Sequence, residues 1–226
     1  MREKASTAGK GRKARPTSER RARKAAVLRQ RLIDCALSLF EKHSFIRTSI
    51  DSITEAADVG KGTFYNYFDT KEALLAAWGR QILAQAWQEV AVERPDEPAM
   101  RRLFRLFSAL LEPVQERPRL ASPFVMAFLM MAGEARPGRG GAKDGAPQEG
   151  ETPATLLAAV LPIVRGAVVQ KALRSDPDPE RVAKAILGLF YQSVMLLATG
   201  EERESPRELL RSALALGLEG LAPAVE

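Results

Sequence analysis

Apolar residues recur at helical spacing along most of this chain, and alternating β-branched runs are almost absent. That pattern predicts an all-α protein. Two helices are expected to begin near Ser18 and Thr48. Further helices are predicted over 61–68, from 71 into the low nineties, and over 98–111, 119–132, 152–173, 180–199 and 206–221.

The stretch from Thr48 to Leu74 predicts two short helices joined by a tight turn, followed by the start of a third. Thr48 is expected to cap the first of these helices and to form a capping box with Asp51. Gly60 follows the apolar face of that helix, and a glycine there can adopt the backbone angles of a sharp turn.

The second short helix, 61–68, is predicted to be polar on its outer side. Phe64 and Phe68 are four residues apart and point into the protein. The outer side then carries a cation, hydroxyls, an amide and flat rings, on Lys61, Thr63, Tyr65, Asn66 and Tyr67. A helix of this kind fits the major groove of B-DNA, although a solvated helical hairpin gives the same spacing.

The run ALSLF, and after it GKGTFYNYFDTKEAL at 60–74, resembles the DNA-binding domain of the tetracycline-repressor (TetR) family of bacterial regulators. The likeness covers 28–74. It implies a helix-turn-helix domain followed by a helical ligand-binding and dimerisation domain. It also implies that Lys71 touches the DNA backbone. The candidate DNA-binding residues are Thr48, Ser49, Lys61, Gly62, Thr63, Tyr65, Asn66, Tyr67 and Lys71.

Three residues depart from the family pattern. Ser44 stands where the family usually has a glycine that ends the first helix, so it must tolerate or avoid a left-handed conformation. Asp58 and Gly60 stand where the family usually has glycine and serine around the turn. The missing serine removes a hydroxyl that often caps the recognition helix.

The residues around the two short helices have predicted roles in packing. The first helix should cover them with Leu28, Leu32, Cys35, Ala36, Leu39 and Phe40. Phe45 and Ile46 are expected to fill the same core from the connecting loop. Asp69 or Thr70 is expected to cap the long helix that starts at Lys71, which is the candidate transmitter between the two domains.

The predicted organisation is a disordered basic arm at 1–17, a helix-turn-helix domain at 18–70 and a helical regulatory and dimerisation domain at 71–226. The net charge is +6, but residues 1–24 contain ten Lys or Arg and two Glu. This segment therefore carries +8 and the rest of the chain −2. A basic arm before a DNA-binding unit is expected to contact phosphates, although a merely solvated tail remains an alternative.

The last two predicted helices carry more apolar surface than one packing face of a small body requires. In the family such a pair meets its mate in a four-helix dimer interface, and an internal helical hairpin is the alternative. The candidate interface residues are Leu189, Phe190, Leu210, Leu214, Gly217 and Leu218.

The middle helices are rich in methionine and aromatic residues, which suit either an adaptable apolar pocket or an ordinary core. The resemblance implies a pocket for a small-molecule effector that releases DNA. Its candidate residues are Trp78, Ile82, Phe104, Phe107, Met126 and Met130. Between Gly133 and Pro153 no apolar period appears, which predicts a flexible surface loop.

Other classes of function have little support in the sequence. The single cysteine and single histidine favour neither a metal site nor a nucleophile pair, and no cofactor is expected. Cys35 lies on an apolar helical face and is expected in the core. No apolar run is long enough to cross a bilayer and no secretory signal is present, so a cytoplasmic protein is expected.

The resulting prediction is a homodimeric repressor, not an enzyme, that binds a palindromic operator in double-stranded DNA. An apolar or amphipathic effector is expected to release it, and no membrane is involved. The alternative is a dimeric protein-interaction adaptor with only nonspecific affinity for DNA.

Overall fold

The computed structural model describes residues 18–91, 97–134, 152–199 and 206–219, and over these ranges the protein is helical and contains no strand. The prediction of an all-α fold is confirmed. The helices are α1 (Ser18–His43), α2 (Ile50–Ala56), α3 (Lys61–Tyr65), α4 (Lys71–Ala91), α5 (Ala99–Gln115), α6 (Ala121–Glu134), α7 (Leu156–Val169), α8 (Pro179–Thr199) and α9 (Pro206–Glu219), with a 3₁₀ turn at Pro118–Leu120.

Helices α1, α2 and α3 enclose a small apolar core. It consists of the buried side chains Leu32, Ile33, Ala36, Phe40, Phe45, Ile53, Phe64 and Phe68. The Phe45 ring meets the Phe40 ring edge-on at a centroid distance of 5.1 Å, as the sequence predicts for a residue that fills this core. Ile46 is different, because 86% of its surface is exposed, and the prediction that it also fills the core is wrong.

The lone cysteine lies in this same core. Cys35 is half-buried, and its Sγ donates to the carbonyl of Ala56 at 3.5 Å, which joins α1 to the end of α2. Cys35 thus packs against the edge of this core, where it is only partly buried.

Helix α4 leads from these three helices into the larger helical body, where it packs on α5 and α6. A Cβ added at Gly79 of α4 would lie 2.7 Å from the sulfur of Met131 and 3.1 Å from Cβ of Ala127. The absence of a side chain at Gly79 thus allows α4 and α6 to approach closely.

An aromatic cluster occupies the centre of the larger body. Phe107 of α5 stacks on Phe190 of α8 at a centroid distance of 4.4 Å, and Phe124 of α6 packs against Phe190 at 6.2 Å. Trp78 of α4 meets Phe124 edge-on at 6.2 Å. The cluster therefore joins four helices.

Several helix boundaries differ from the sequence predictions. Helix α3 ends at Tyr65, three residues early, because residues 66–67 form a turn that still directs Phe68 inward. Helix α7 begins at Leu156 rather than at Thr152, since Thr155 accepts a hydrogen bond from the amide of Ala158. It ends at Val169, before Lys171 takes a φ of 56°.

Three of the six candidate interface residues lie inside the subunit. Phe190 and Leu210 are fully buried and Leu214 is 5% exposed, so none has surface left for a second copy, and the prediction is wrong for them. Helical periodicity indicates a buried face but not which element covers it. Here α5 and α6 cover Phe190, and α8 and α5 pack against α9. Leu189 is half-buried, whereas the surroundings of Gly217 and the side chain of Leu218 lie outside the described part.

Candidate nucleic-acid interface

Ser49, not Thr48, caps α2. The Ser49 hydroxyl accepts from the amide of Ser52 at 3.1 Å, and the Ser52 hydroxyl accepts from the amide of Ser49 at 3.2 Å, which completes a capping box. Thr48 is 3% exposed and donates its hydroxyl to the carbonyl of Ser44 at 2.8 Å. The predicted cap is therefore wrong by one residue, and Thr48 faces the protein rather than solvent.

The turn between α2 and α3 uses its residues differently from the prediction. Asp58 takes the left-handed conformation, with φ 52°, at the position where the family usually has glycine. Gly60 instead has φ −76° and precedes α3 without any side-chain cap. Ser44, the third departure from the family pattern, also adopts a left-handed φ of 70° and ends α1.

Helix α3 presents a polar outer side. Phe64 and Phe68 are buried as predicted, whereas Lys61, Gly62 and Asn66 are exposed. Tyr65 is 52% exposed and its ring stands edge-on to Phe64 at 5.7 Å. Thr63 and Tyr67 are half-buried, and a Cβ at Gly62 would meet nothing within 4 Å. A partner can therefore approach this side of α3 closely.

An ion pair joins the two short helices. Lys61 Nζ lies 2.6 Å from Asp51 Oδ1, and both side chains are about 60% exposed. The hydrogen bond to Asp51, and after it the charge of that carboxylate, raise the pKa of Lys61. The cation at the start of α3 is thus held beside the first turn of α2, next to Ser49 on the same turn.

Lys71, by contrast, is turned toward the protein. Its Nζ donates to the carbonyls of Phe45 at 2.9 Å and Thr48 at 3.0 Å, and lies 4.4 Å from the centroid of the Phe45 ring. Thr70 caps the same helix, since its hydroxyl accepts from the amide of Ala73 at 3.0 Å. The structure therefore separates Lys71 from the exposed residues of α3.

Basic residues continue from the arm into the described part of α1. The arm at 1–17 lies outside the described residues, but Arg20, Arg21, Arg23 and Lys24 follow it and are exposed. Arg29 lies over the ring of Phe68 at 5.1 Å, and burial followed by the nearby Arg80 lowers its pKa. The exposed cations are therefore near the start of the helix.

The six candidate pocket residues fall into two groups. Trp78, Ile82 and Phe107 are buried in the body, as in an ordinary core. Phe104, Met126 and Met130 are half-buried, and the Arg211 guanidinium lies 5.4 Å from the Phe104 ring centroid. Tyr191 borders the aromatic cluster, and its burial raises its pKa to about 12.

Three buried polar groups, on α5 and just before it, are not predictable from the sequence. Ser108 Oγ, Glu97 Oε1 and Arg102 Nε are buried without a hydrogen-bond partner. Glu97 uses its other oxygen to bind Arg105 at 2.6 Å, and Arg102 lies over the Trp87 ring at 5.8 Å. Charged residues at helical spacing are ordinarily solvated, so no sequence signal separates these from surface residues.

Two absences concern only the part of the chain that the structure describes. No three His, Cys, Asp or Glu side chains gather there as metal ligands would. None of the helices described there has the length and apolar character that spanning a membrane requires.

Comparisons with known proteins converge on one family. The model for bacterial regulatory proteins of the tetR family matches residues 32–78, which span the C-terminal part of α1, all of α2 and α3 and the start of α4. The transcriptional repressor DhaR of Mycobacterium sp. strain GP1 is 30% identical over 103 residues, 43% of this chain and 50% of DhaR. The repressor KstR of Rhodococcus jostii is 27% identical over 104 residues, 45% of this chain and 47% of KstR. The chain thus spans about half the length of the curated relatives it matches.

Solved structures extend the likeness over most of the chain. FadR of Thermus thermophilus, a TetR family repressor crystallised with lauroyl-CoA, is 26% identical with a TM-score of 0.59, over 88% of this chain and 97% of FadR. A TetR family regulator of Syntrophomonas wolfei reaches a TM-score of 0.62 at 19% identity, over 89% and 99% of the two chains. This second likeness concerns the fold alone.

Proposed function

Because this chain belongs to the TetR family of bacterial regulatory proteins, we propose that it is a DNA-binding transcriptional repressor that works in the cytoplasm. The observation that carries the proposal is the outer side of α3, which remains polar and exposed while Phe64 and Phe68 anchor the helix from below. Its role is binding, and it requires no catalytic residue. The named relatives are regulators, which favours this function over that of a protein-interaction adaptor.

The proposed DNA surface is α3 together with the first turn of α2. Its members are Ser49, Lys61, Gly62, Thr63, Tyr65, Asn66 and Tyr67. Asn66 suits adenine and Lys61 suits guanine, because an amide and an ammonium match the groups that these bases show in the major groove. The tyrosine hydroxyls suit phosphates. Asp51 holds Lys61 in place until a base or phosphate replaces it.

The test begins with a duplex recovered by in vitro selection from a random double-stranded library. Tyr65→Ala is expected to weaken binding to this duplex by roughly tenfold, as removal of a charge-assisted hydrogen bond does. Val169→Ala is the matched control, since Val169 is 83% exposed but lies on α7. Full affinity in Tyr65→Ala, or no preference of the wild type for the selected duplex, would reject the proposed surface.

The proposal includes a homodimer, since a two-fold protein reads two half-sites at a fixed spacing. Support for its contact surface comes from a row of exposed residues on α8, at 185, 188, 192 and 195. Ala185 and Gly188 are small, a Cβ at Gly188 would meet nothing within 4 Å, and Met195 is 41% exposed. Two helices can approach closely along such a row.

Gly188→Arg tests this interface, because the space around Gly188 lets the variant fold. It is expected to sediment as a folded monomer, whereas Val169→Arg on α7 should remain a dimer. A dimeric Gly188→Arg variant would show that the contact lies elsewhere.

The effector is proposed to be an amphipathic small molecule with an acyl chain. Support comes from the lauroyl-CoA bound by Thermus thermophilus FadR, and from the half-buried Phe104, Met126 and Met130 in this chain. Lauroyl-CoA is expected to release the selected duplex, measured by fluorescence anisotropy, whereas coenzyme A alone should not. Release by both, or by neither, would reject an acyl effector.

A further inference from the structure

The loop between α1 and α2, residues 44–49, has few backbone hydrogen bonds of its own. The carbonyl of Ser44 is satisfied by the Thr48 hydroxyl, and that of Ser49 by the Ser52 hydroxyl at 2.8 Å. The carbonyls of Phe45 and Thr48 both accept from Lys71, and that of Ile46 lies 3.5 Å from the same ammonium. Lys71 is thus the group that holds this loop closed.

The ammonium of Lys71 has no donor left for another partner. An ammonium carries three N–H groups, and three carbonyls of one loop surround it. The face of the Phe45 ring lies 4.4 Å away and provides a further favourable contact for the cation. A phosphate could take Lys71 only by removing its hydrogen bonds to the half-buried carbonyls of Phe45 and Thr48.

The position of Lys71 in the chain couples the 44–49 loop to helix α4. It is the first residue of α4, and α4 runs from here into the body, where Gly79 packs against α6. The loop that Lys71 holds leads directly into Ser49 and the capping box of α2. A movement of the first turn of α4 therefore pulls on the start of α2 through the ammonium.

We propose that Lys71 is a positioning residue, which fixes the 44–49 loop to the start of α4 and transmits the position of α4 to the DNA surface without contacting DNA. This differs from the role implied by the family resemblance, in which Lys71 touches the backbone. The inference rests on the proposed function for its DNA measurements, but its structural part stands independently.

The experiment compares Lys71→Met, Lys71→Arg and wild type on the selected duplex across a salt series. For Lys71→Met we expect about tenfold weaker binding at every salt concentration, the loss expected for hydrogen bonds made by a charged group, with an unchanged salt slope. A direct phosphate contact would instead lower the slope by about 0.9. Lys71→Arg keeps the charge but cannot place its planar fork among three carbonyls, so it should also bind more weakly. Full affinity in Lys71→Arg, or a reduced slope in Lys71→Met, would overturn the inference.

Hydrogen exchange without DNA provides the second measurement. The amides of 44–49 are expected to exchange faster in both Lys71 variants than in the wild type, while the amides of α8 remain protected. Lys184→Met is the matched control, because Lys184 is an exposed lysine of α8 that pairs with Glu180 at 2.5 Å. Unchanged exchange of the loop would overturn the inference. Failure of the wild type to prefer its selected duplex would reject the proposed function and leave this second test valid.

Discussion

The proposed DNA surface and the aromatic centre of the body are stabilised in different ways. Around α2 and α3, polar side chains close short-range contacts, such as the Ser49–Ser52 capping box and the Lys61–Asp51 pair, and remain exposed. In the body, Phe107, Phe124 and Phe190 are fully buried and bring together helices distant in the chain. Substitutions in the first region should therefore weaken binding more than they lower stability. Substitutions in the aromatic centre should lower stability more than they weaken binding.

The largest expected effect is that of Phe190→Ala in the aromatic cluster. Phe190 is fully buried and stacked on Phe107, so truncation should lower the free energy of unfolding by about 3–5 kcal/mol. Urea unfolding measures the loss. Leu129→Ala on α6 is the control, since Leu129 is 53% exposed and should cost much less. A Phe190→Ala variant of normal stability that sediments as a monomer would restore Phe190 to the dimer interface.

Gly79→Ala tests the contact between α4 and α6. The new Cβ would lie 2.7 Å from the sulfur of Met131, which must move, so we expect a loss of about 1–3 kcal/mol. Gly62→Ala on α3 is the matched change in the proposed DNA surface. Its Cβ has open space, so helix propensity should instead stabilise the protein by up to about 1 kcal/mol. Equal effects of the two substitutions would contradict the difference between the regions.

Local chemistry explains why the structure around α2 and α3 was largely predictable from the sequence. The four-residue spacing of Phe64 and Phe68 indicates which side of the chain is buried. A residue with a hydroxyl at the start of α2 or α4 indicates a helix cap. The error of one residue between Thr48 and Ser49 arose because both side chains can cap, and only the position of the loop decides between them.

The helices of the larger body could be predicted from the sequence, but the helices against which each of them packs could not. Apolar spacing marks Phe190, Leu210 and Leu214 as buried, yet it carries no information on whether α5 or a second subunit covers them. The sequence also did not predict that Lys71 points into the protein, because a lysine at the start of a helix is ordinarily solvated. Only the path of the 44–49 loop brings three carbonyls to its ammonium.

A smaller effect is expected at the cap of α2. Ser49→Ala removes one half of the capping box and should lower the free energy of unfolding by about 1 kcal/mol. Asp51→Ala is the control from the same turn. Its exposed ion pair with Lys61 contributes little, so the loss is expected to be smaller than that of Ser49→Ala. A greater loss in Asp51→Ala than in Ser49→Ala would restore the original prediction that Asp51 belongs to the cap.

The smallest effect is a gain, at the residue that ends α1. Ser44 has a φ of 70°, which is unfavourable for any residue with a Cβ, and its amide still donates to the carbonyl of Phe40 at 2.9 Å. Ser44→Gly keeps that hydrogen bond and relieves the strain, but glycine also gains entropy in the unfolded chain. The net gain should therefore be only about 0.5 kcal/mol, visible as a higher urea midpoint. Gly60→Ala is the opposite control, because position 60 has a φ of −76° and its backbone conformation does not require glycine. A loss of stability in Ser44→Gly would mean that the exposed serine contributes more to this loop than its backbone conformation costs.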